Sequence, residues 1–126
     1  MYLLDTNTVI YFLNGSLPNA AMQFMDTVVD ERCNISAITK IELLGFGFTS
    51  DAEQETMEDF VGGSAVIGID DAIINAAIEL RKTRKIKLPD CIIAATALVH
   101  GLTVISRNTS DFKNIDGLSC ISPWDK

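Results

Sequence analysis

The apolar stretch CIIAATALV at residues 91–99 places the strongest limit on the fold of this chain. Drawn as a helix it has almost no polar face, and Gly101 marks where such a helix would end. A helix that is apolar on nearly all sides must be buried on most of them. The residues that follow, LTVIS at 102–106, have the composition of a central strand. We therefore expect a buried helix that leads directly into a buried strand.

The rest of the chain repeats this alternation of strands and helices. Short strands are predicted at YLL (2–4), around Ile35, at AVIGI (65–69) and at LSCIS (118–122). Helical periodicity is found over 8–13, 20–32, 51–61 and 70–85. Such alternation predicts an α/β fold with a mainly parallel central sheet, flanked by helices on both faces. With 126 residues, the chain is expected to form a single domain over 1–126.

Polar residues predict where the helices begin, and apolar residues predict which face is buried. Ser36 or Thr39 is expected to cap the helix after the second strand, and Asp70 to cap the helix over 70–85. The residues of that last helix predicted to face the core are Ile73, Ile74, Ala77, Ile78 and Leu80.

Composition narrows the cellular setting. No apolar run approaches the roughly 18 to 20 residues that span a bilayer, and the N-terminal apolar segment reaches Asp5 too soon for a signal peptide. A cytoplasmic protein with no membrane association is therefore expected. The three cysteines, Cys33, Cys91 and Cys120, are widely spaced in apolar surroundings, which predicts reduced thiols packed in the core.

The net charge of −7 is unevenly distributed. Residues 1–80 carry 13 acidic and 2 basic side chains, whereas residues 81–126 carry 4 acidic and 8 basic ones. Five of these bases lie in RKTRKIK at 81–87. This run is either a basic strip that contacts nucleic acid or a solvated helix end whose cations meet the negative end of the helix dipole. The two interpretations are compatible.

Several acids are predicted at the carboxyl ends of strands or close to them, where parallel sheets bind ligands. Each has an ordinary explanation: Asp5 as a helix cap, Asp90 in a first helical turn, Thr39 with Glu42 as a capping box, and Asp111 in a turn. Together they are harder to explain, since carboxylates that converge beside an apolar core repel one another. A divalent cation relieves that repulsion, and Mg²⁺ or Mn²⁺ prefers carboxylate oxygen.

Other chemistries are disfavoured by what the sequence contains. The only histidine, His100, is expected at the end of a helix, so neither a multi-histidine zinc centre nor a two-histidine ribonuclease mechanism is available. No glycine-rich loop has the phosphate-loop or dinucleotide-binding pattern. A serine triad lacks a plausible base.

Four segments together resemble the PIN-domain ribonucleases, in particular the VapC-type toxins of bacterial toxin–antitoxin pairs. They are LLDTN at 3–7, ISAITKIELLG at 35–45, LPDCIIAATALVHGLTVISRNTSDF at 88–112 and ISPW at 121–124. Carried over residue by residue, the resemblance implies an acidic quartet of Asp5, Glu42, Asp90 and Asp111, with metal bound by Asp5, Asp90 and Asp111. Some members of this family have an acid at the position of Asn108 instead of Asp111, so the fourth ligand is left open between them. Thr6, Asn7 and Asn108 match polar positions that support the site.

The resemblance also implies a reaction and partners. A Mg²⁺- or Mn²⁺-dependent ribonuclease would hydrolyse an RNA phosphodiester bond and leave a 5′-phosphate and a 3′-hydroxyl, with one or two ions engaged. Arg81, Lys85, Lys87 and Arg107 are candidates for contacts to RNA phosphates, because they lie near LPD or within the catalytic loop. The alternatives are a housekeeping PIN nuclease in RNA processing and an inactive PIN-fold binding module.

Toxins of this type form homodimers and are inhibited by a cognate antitoxin, so both partners are implied for this chain. The apolar faces of residues 8–13 and 20–32, with ELLGFGF at 42–48, are candidate surfaces for the antitoxin. Ordinary core packing is the alternative explanation for each of these faces.

Overall fold

A five-stranded parallel sheet organises the molecule, in a computed structural model that describes residues 1–48 and 50–126. The strands are β1 (Tyr2–Leu4), β2 (Asn34–Ser36), β3 (Ala65–Ile67), β4 (Thr103–Ile105) and β5 (Cys120–Ile121). Their order across the sheet is β3-β2-β1-β4-β5, and every neighbouring pair is parallel. The predicted α/β class and the predicted parallel sheet are confirmed.

Six α-helices connect these strands. They are α1 (Thr6–Leu13), α2 (Asn19–Glu31), α3 (Ala37–Leu44), α4 (Asp51–Gly62), α5 (Asp71–Thr83) and α6 (Leu88–His100). Short 3₁₀ turns at Thr109–Asp111 and Pro123–Asp125 flank β5. Within residues 1–48 and 50–126, no helix is both long enough and apolar enough to cross a bilayer.

The central strand β1 lies between β2 and β4. The chain adds β2 and then β3 on one side of β1, and it later adds β4 and then β5 on the other side. Leu4 is paired with Ile35 of β2 and with Ile105 of β4. Because all strands run the same way, the residues that follow β1 and β4 meet at one edge of the sheet. Crevices for ligands in parallel sheets form at this kind of reversal in strand order.

Successive residues of each strand point to opposite faces, so the sheet has a core on each side. Leu3 and Val104 pack with α5 and α6 on one face. Leu4 and Ile105 pack on the other with residues of α1, α2, α3 and α4. Since both faces are covered, the buried strands are rigid supports for whatever follows them.

Helix α6 is the buried helix that the apolar stretch predicts. Cys91, Ile93 and four further residues up to Ala97 are buried, and His100 is its last residue. Gly101 closes the helix in the left-handed region with φ 66°, where a side chain would be strained. The return to β4 therefore depends on this glycine.

Three predictions about helices need correction. Ile74 and Ile78 are 44% and 47% exposed, so only part of the predicted apolar face of α5 reaches the core. Helix α5 also ends at Thr83, two residues before the predicted end. Of the two predicted caps for α3, Ser36 is the N-cap and accepts a hydrogen bond from the Ile38 N–H. Thr39 lies inside the helix, and the capping box with Glu42 is wrong.

The cysteines are free thiols, as predicted. Cys33 and Cys91 are buried, whereas Cys120 on β5 is partly exposed. Burial raises the pKa of Cys33 and of Cys91, which is the behaviour of thiols packed in a core.

Candidate active site

Asp5 lies directly after β1 and is only 8% exposed. Its Oδ1 accepts a hydrogen bond of 2.9 Å from the Thr8 N–H, which makes it the N-cap of α1. Its own N–H donates to the Ile105 carbonyl of β4, at 3.1 Å. The carboxylate is thus fixed by a strand on one side and a helix on the other.

Glu42 lies on α3 and is connected to the residue after Asp5. The Thr6 hydroxyl donates to Glu42 Oε1 at 2.6 Å and lies 3.1 Å from the Thr39 hydroxyl oxygen. Thr39 is fully buried, so it anchors this hydroxyl from the core side. The sequence prediction that Thr6 supports the acids is consistent with this contact, which also gives Thr39 a role that the sequence did not suggest.

Asp90 stands in the first turn of α6 and is half-buried. Burial raises its pKa, and the negative charges of Asp111, Asp5 and Glu42 raise it further, in that order, while Lys87 opposes them. The four acids are far apart in the sequence, but in the structure the charges of the other three are close enough to affect the pKa of Asp90. This convergence is the main electrostatic property of the site.

Asn108 and Asp111 occupy the loop after β4. The Asn108 amide donates to the Asp111 carboxylate, and its carbonyl accepts from the Ser110 hydroxyl at 2.8 Å. The Asn108 N–H donates to the hydroxyl of Ser106, a fully buried residue at the end of β4. Asn108 therefore orients the Asp111 carboxylate, and the choice of fourth ligand between them stays a prediction.

The chemistry of these side chains fits a hard divalent cation. All four acids offer carboxylate oxygens, and a cation would offset the repulsion that raises the pKa of Asp90. Within residues 1–48 and 50–126, no three acidic, histidine or cysteine side chains are grouped closely enough to hold an ion as they stand. Asp5, Glu42 and Asp111 instead each accept a hydrogen bond within the protein. Their donors are the Thr8 N–H, the Thr6 hydroxyl and the Asn108 amide, in that order.

A cavity of about 830 Å³ lies beside Asp90 and Asp111, and basic side chains also line it. Three of the four bases predicted to contact RNA line it: Arg81, Lys85 and Lys87. Arg84 and Lys113 also line it, although neither was among the predicted RNA contacts. Arg84 belongs to the basic run at 81–87, and Lys113 is two residues after Asp111, so the fold brings these two segments together.

Arg107, the fourth predicted RNA contact, has a different environment. It lines a smaller cavity of about 340 Å³ together with Asp5, Asn7 and Asn108. Its guanidinium lies 4.7 Å from the centroid of the Trp124 ring and 5.9 Å from that of Tyr11. These cation–π contacts hold Arg107 over the aromatic rings beside the acids.

A comparison with known families identifies this arrangement. The model of the PIN domain matches residues 2–118, which is most of the chain. The chain therefore belongs to the PIN-domain family, and its parallel sheet is the PIN fold.

Curated relatives cover the chain almost completely. It is 33% identical to the plasmid stability protein StbB of Pseudomonas syringae, over 99% of each chain. It is 29% identical to the VapC ribonuclease Y4jK of Sinorhizobium fredii, again over 99% of each. Among solved structures, a toxin–antitoxin complex from Klebsiella pneumoniae is similar at a TM-score of 0.76 and 29% identity, over 98% of each chain.

Proposed function

We propose that this protein is a metal-dependent endoribonuclease and the toxin of a VapBC-type toxin–antitoxin pair. The observation that carries the proposal is the convergence of Asp5, Glu42 and Asp111 on Asp90, at the edge of the sheet where β1 and β4 end. The similarity to a VapC ribonuclease supports RNA as the substrate, and the similarity to a chain of a toxin–antitoxin complex supports the biological role.

Asp5, Asp90 and Asp111 are the residues that would hold Mg²⁺ or Mn²⁺. Such a cation would neutralise the charge of the phosphate and lower the pKa of a bound water molecule. Asn108 keeps the Asp111 carboxylate oriented, and β1 with α1 keeps Asp5 in place. Rigid support of this kind holds a catalytic group more accurately than a loop does.

Glu42 is the candidate general base. The Thr6 hydroxyl occupies its Oε1, so Oε2 is the oxygen that would accept a proton from the attacking water. The water oxygen forms a bond to phosphorus as the bond to the 3′-oxygen breaks, and that oxygen leaves with a proton. The products are a 5′-phosphate and a 3′-hydroxyl.

Cleavage of total cellular RNA by the purified protein tests this function. Cleavage is expected with Mg²⁺ or Mn²⁺ and not with EDTA, and Asp90→Asn is expected to lower it by about a hundredfold or more. Asp26→Asn, an exposed acid on α2, is the matched control and should cut like the parent protein.

Cleavage by Asp90→Asn at the parental rate would contradict the assignment of the site. Cleavage that persists in EDTA would contradict the metal requirement. If the folded parent protein, free of antitoxin, cut no RNA with either metal, the binding-module alternative would be favoured.

The antitoxin is proposed to dock in an apolar groove between α1, α3 and α4. The groove has a volume of about 380 Å³, and its apolar lining includes Ile10, Leu13, Leu43, Phe46, Phe48 and Met57. Glu42 also lines it, so a segment seated there would end beside the acids. An amphipathic helix with basic residues suits this groove, because its walls are apolar and residues 1–80 are strongly acidic.

The apolar face of residues 20–32 was the second candidate surface for the antitoxin, and this prediction is wrong. Ala21, Met25 and Val28 are buried in the core on one side of the sheet, and so this face of α2 is not open to a partner. For this segment ordinary core packing is the right explanation.

The homodimer is proposed to form through α5 and the start of α6. Ile69, Ile74, Ile78 and Leu88 are exposed there, and Ile73 and Ile92 line the same groove of about 460 Å³. An exposed apolar patch of this kind marks an interaction surface. A second copy of the chain suits it, because a twofold dimer places the same apolar patch of each copy against the other.

A further inference from the structure

The 830 Å³ cavity between the end of α5 and the loop after β4 is lined by acidic and by basic side chains. The acids are Asp90 and Asp111 of the active site. The bases, which we call the basic wall, are Arg81, Arg84, Lys85, Lys87 and Lys113. Its size is within the range of pockets that bury a small ligand. A ligand that fills the cavity meets the acids and the basic wall at once.

Most of the basic wall forms no ion pair with the protein. In the part of the chain that the structure describes, the ion pair is between Lys82 and Glu79, and both lie outside the cavity. Lys87 opposes the rise in the pKa of Asp90, and Arg81 opposes the rise in the pKa of Cys91. The charges of Arg84, Lys85 and Lys113 remain to attract a ligand.

Arg84 connects the two sides of the cavity. It is the residue that ends α5, and its Nη1 donates to the Asn114 carbonyl at 3.0 Å. Asn114 has φ 65°, a left-handed conformation that asparagine tolerates better than most residues, at the turn that presents this carbonyl. The Arg84 Nε is buried and has no hydrogen-bond partner. Arg84 is therefore fixed to the loop after β4 and lines the cavity, unlike a freely solvated helix end.

The scissile phosphate of an RNA strand belongs at the acids, where a cation is needed for its cleavage. A neighbouring phosphate of the same strand would be repelled by those carboxylates and attracted by the basic side chains of the same cavity. Arginine suits such a phosphate because its planar guanidinium offers several donors, and lysine adds a point charge.

We propose that Arg84 and Lys113 bind an RNA phosphate that flanks the scissile one. This inference rests on the proposed function and adds to it a second phosphate site, which positions the strand across the acids. It assigns roles to two residues that lie 29 positions apart in the sequence and that only the fold brings to one wall.

The test measures how tightly a short single-stranded RNA binds in EDTA, where cleavage is stopped, at several salt concentrations. Lys113→Gln is expected to weaken binding several-fold at low salt. It should also reduce the slope of log K against log salt by about 0.7, the value for one lost phosphate contact on a single strand. Lys113→Arg should restore both quantities.

Arg84 needs a more careful substitution, because it also contacts the Asn114 carbonyl. Arg84→Lys keeps the charge and loses the planar fork, and it should weaken binding without changing the slope. Lys82→Gln is the matched control: it lies on the same helix, outside the cavity, and should bind like the parent protein.

Binding and salt slope equal to the Lys82→Gln control in both Lys113→Gln and Arg84→Lys would overturn the proposal. The nuclease assignment is judged separately, by cleavage in Asp90→Asn with metal. Because the binding assay contains EDTA, failure of the nuclease assignment would leave its result readable, and the reverse is also true.

Discussion

Folding disfavours ionisation of the Cys120 thiol. Burial and the negative charge of Asp5 raise its pKa from 9.0 to about 11, although the Ser106 backbone N–H counteracts part of this. In the unfolded chain the thiol ionises from about pH 9, whereas in the folded protein it stays neutral until about pH 11. The contribution of Cys120 to stability is therefore complete below pH 9 and is lost as the pH rises to 11.

This predicts a specific alkaline loss of stability. Between pH 9 and 11 the parent protein should lose more free energy of unfolding than Cys120→Ala, which has no thiol at this position. The difference should be on the order of 1 kcal/mol, because solvent screens this half-buried group. Urea unfolding at a series of pH values measures the difference. The other two cysteines are present in both proteins, so their contributions cancel. Parallel pH curves for the two proteins would show that Cys120 is solvated in the folded state.

Asp5, the N-cap of helix α1, combines a structural role with a proposed catalytic one. Asp5 caps the helix through the Thr8 N–H, and it is also the proposed metal ligand. The sequence predicts both functions for this position but does not show that one carboxylate serves both. Replacement by alanine therefore removes a helix cap as well as a charge.

Two substitutions separate these functions. Asp5→Asn keeps an oxygen that can cap α1, so it should retain the parental free energy of unfolding and lose metal-dependent cleavage. Asp5→Ala should lose cleavage and also about 1 kcal/mol of stability. Urea unfolding and RNA cleavage, measured on both variants, check the prediction. If Asp5→Asn cut RNA at the parental rate, the charge of Asp5 would not be needed for catalysis.

The order and type of the helices and strands were predictable because the local patterns are strong. The apolar helix before Gly101 and the cap of α5 at Asp70 both lie where the sequence places them. The predicted burial of Ile74 and Ile78 was wrong. Helical spacing shows which residues share a face, but it does not show whether the core is wide enough to cover all of them. Here the core covers Ile73 and Leu80 and leaves the next two isoleucines exposed.

The candidate site was only partly predictable from the sequence. Its acids were identified through the resemblance to the PIN-domain ribonucleases, and their convergence follows from parallel strands whose ends meet at one edge. The basic wall was only partly predictable, because Lys113 lies outside the basic run at 81–87 and only the fold brings these two segments together. The contact of Thr39 with Thr6 was missed for the same reason: it joins α3 to α1 across 33 positions.

Within residues 1–48 and 50–126 we distinguish two exposed apolar surfaces, and we propose a different occupant for each. The surface on α5 and α6 carries Ile74 and Ile78 and is assigned to a second copy of the chain. The groove between α1, α3 and α4 carries Phe46, which is 64% exposed, and is assigned to the antitoxin. If these assignments are right, a charge placed on one surface should leave the function of the other intact.

Sedimentation velocity tests the assignment of the α5 surface. The parent protein should sediment as a dimer, and Ile74→Glu should sediment as a monomer, because a dimer would bury the new carboxylate in an apolar contact. Both are expected to fold alike, since Ile74 is exposed and contributes little to the core. Phe46→Glu is the matched control, with the same charge on the other apolar surface, and should remain a dimer. Dissociation of Phe46→Glu together with a dimeric Ile74→Glu would move the self-association site to the groove and leave the α5 surface for another partner.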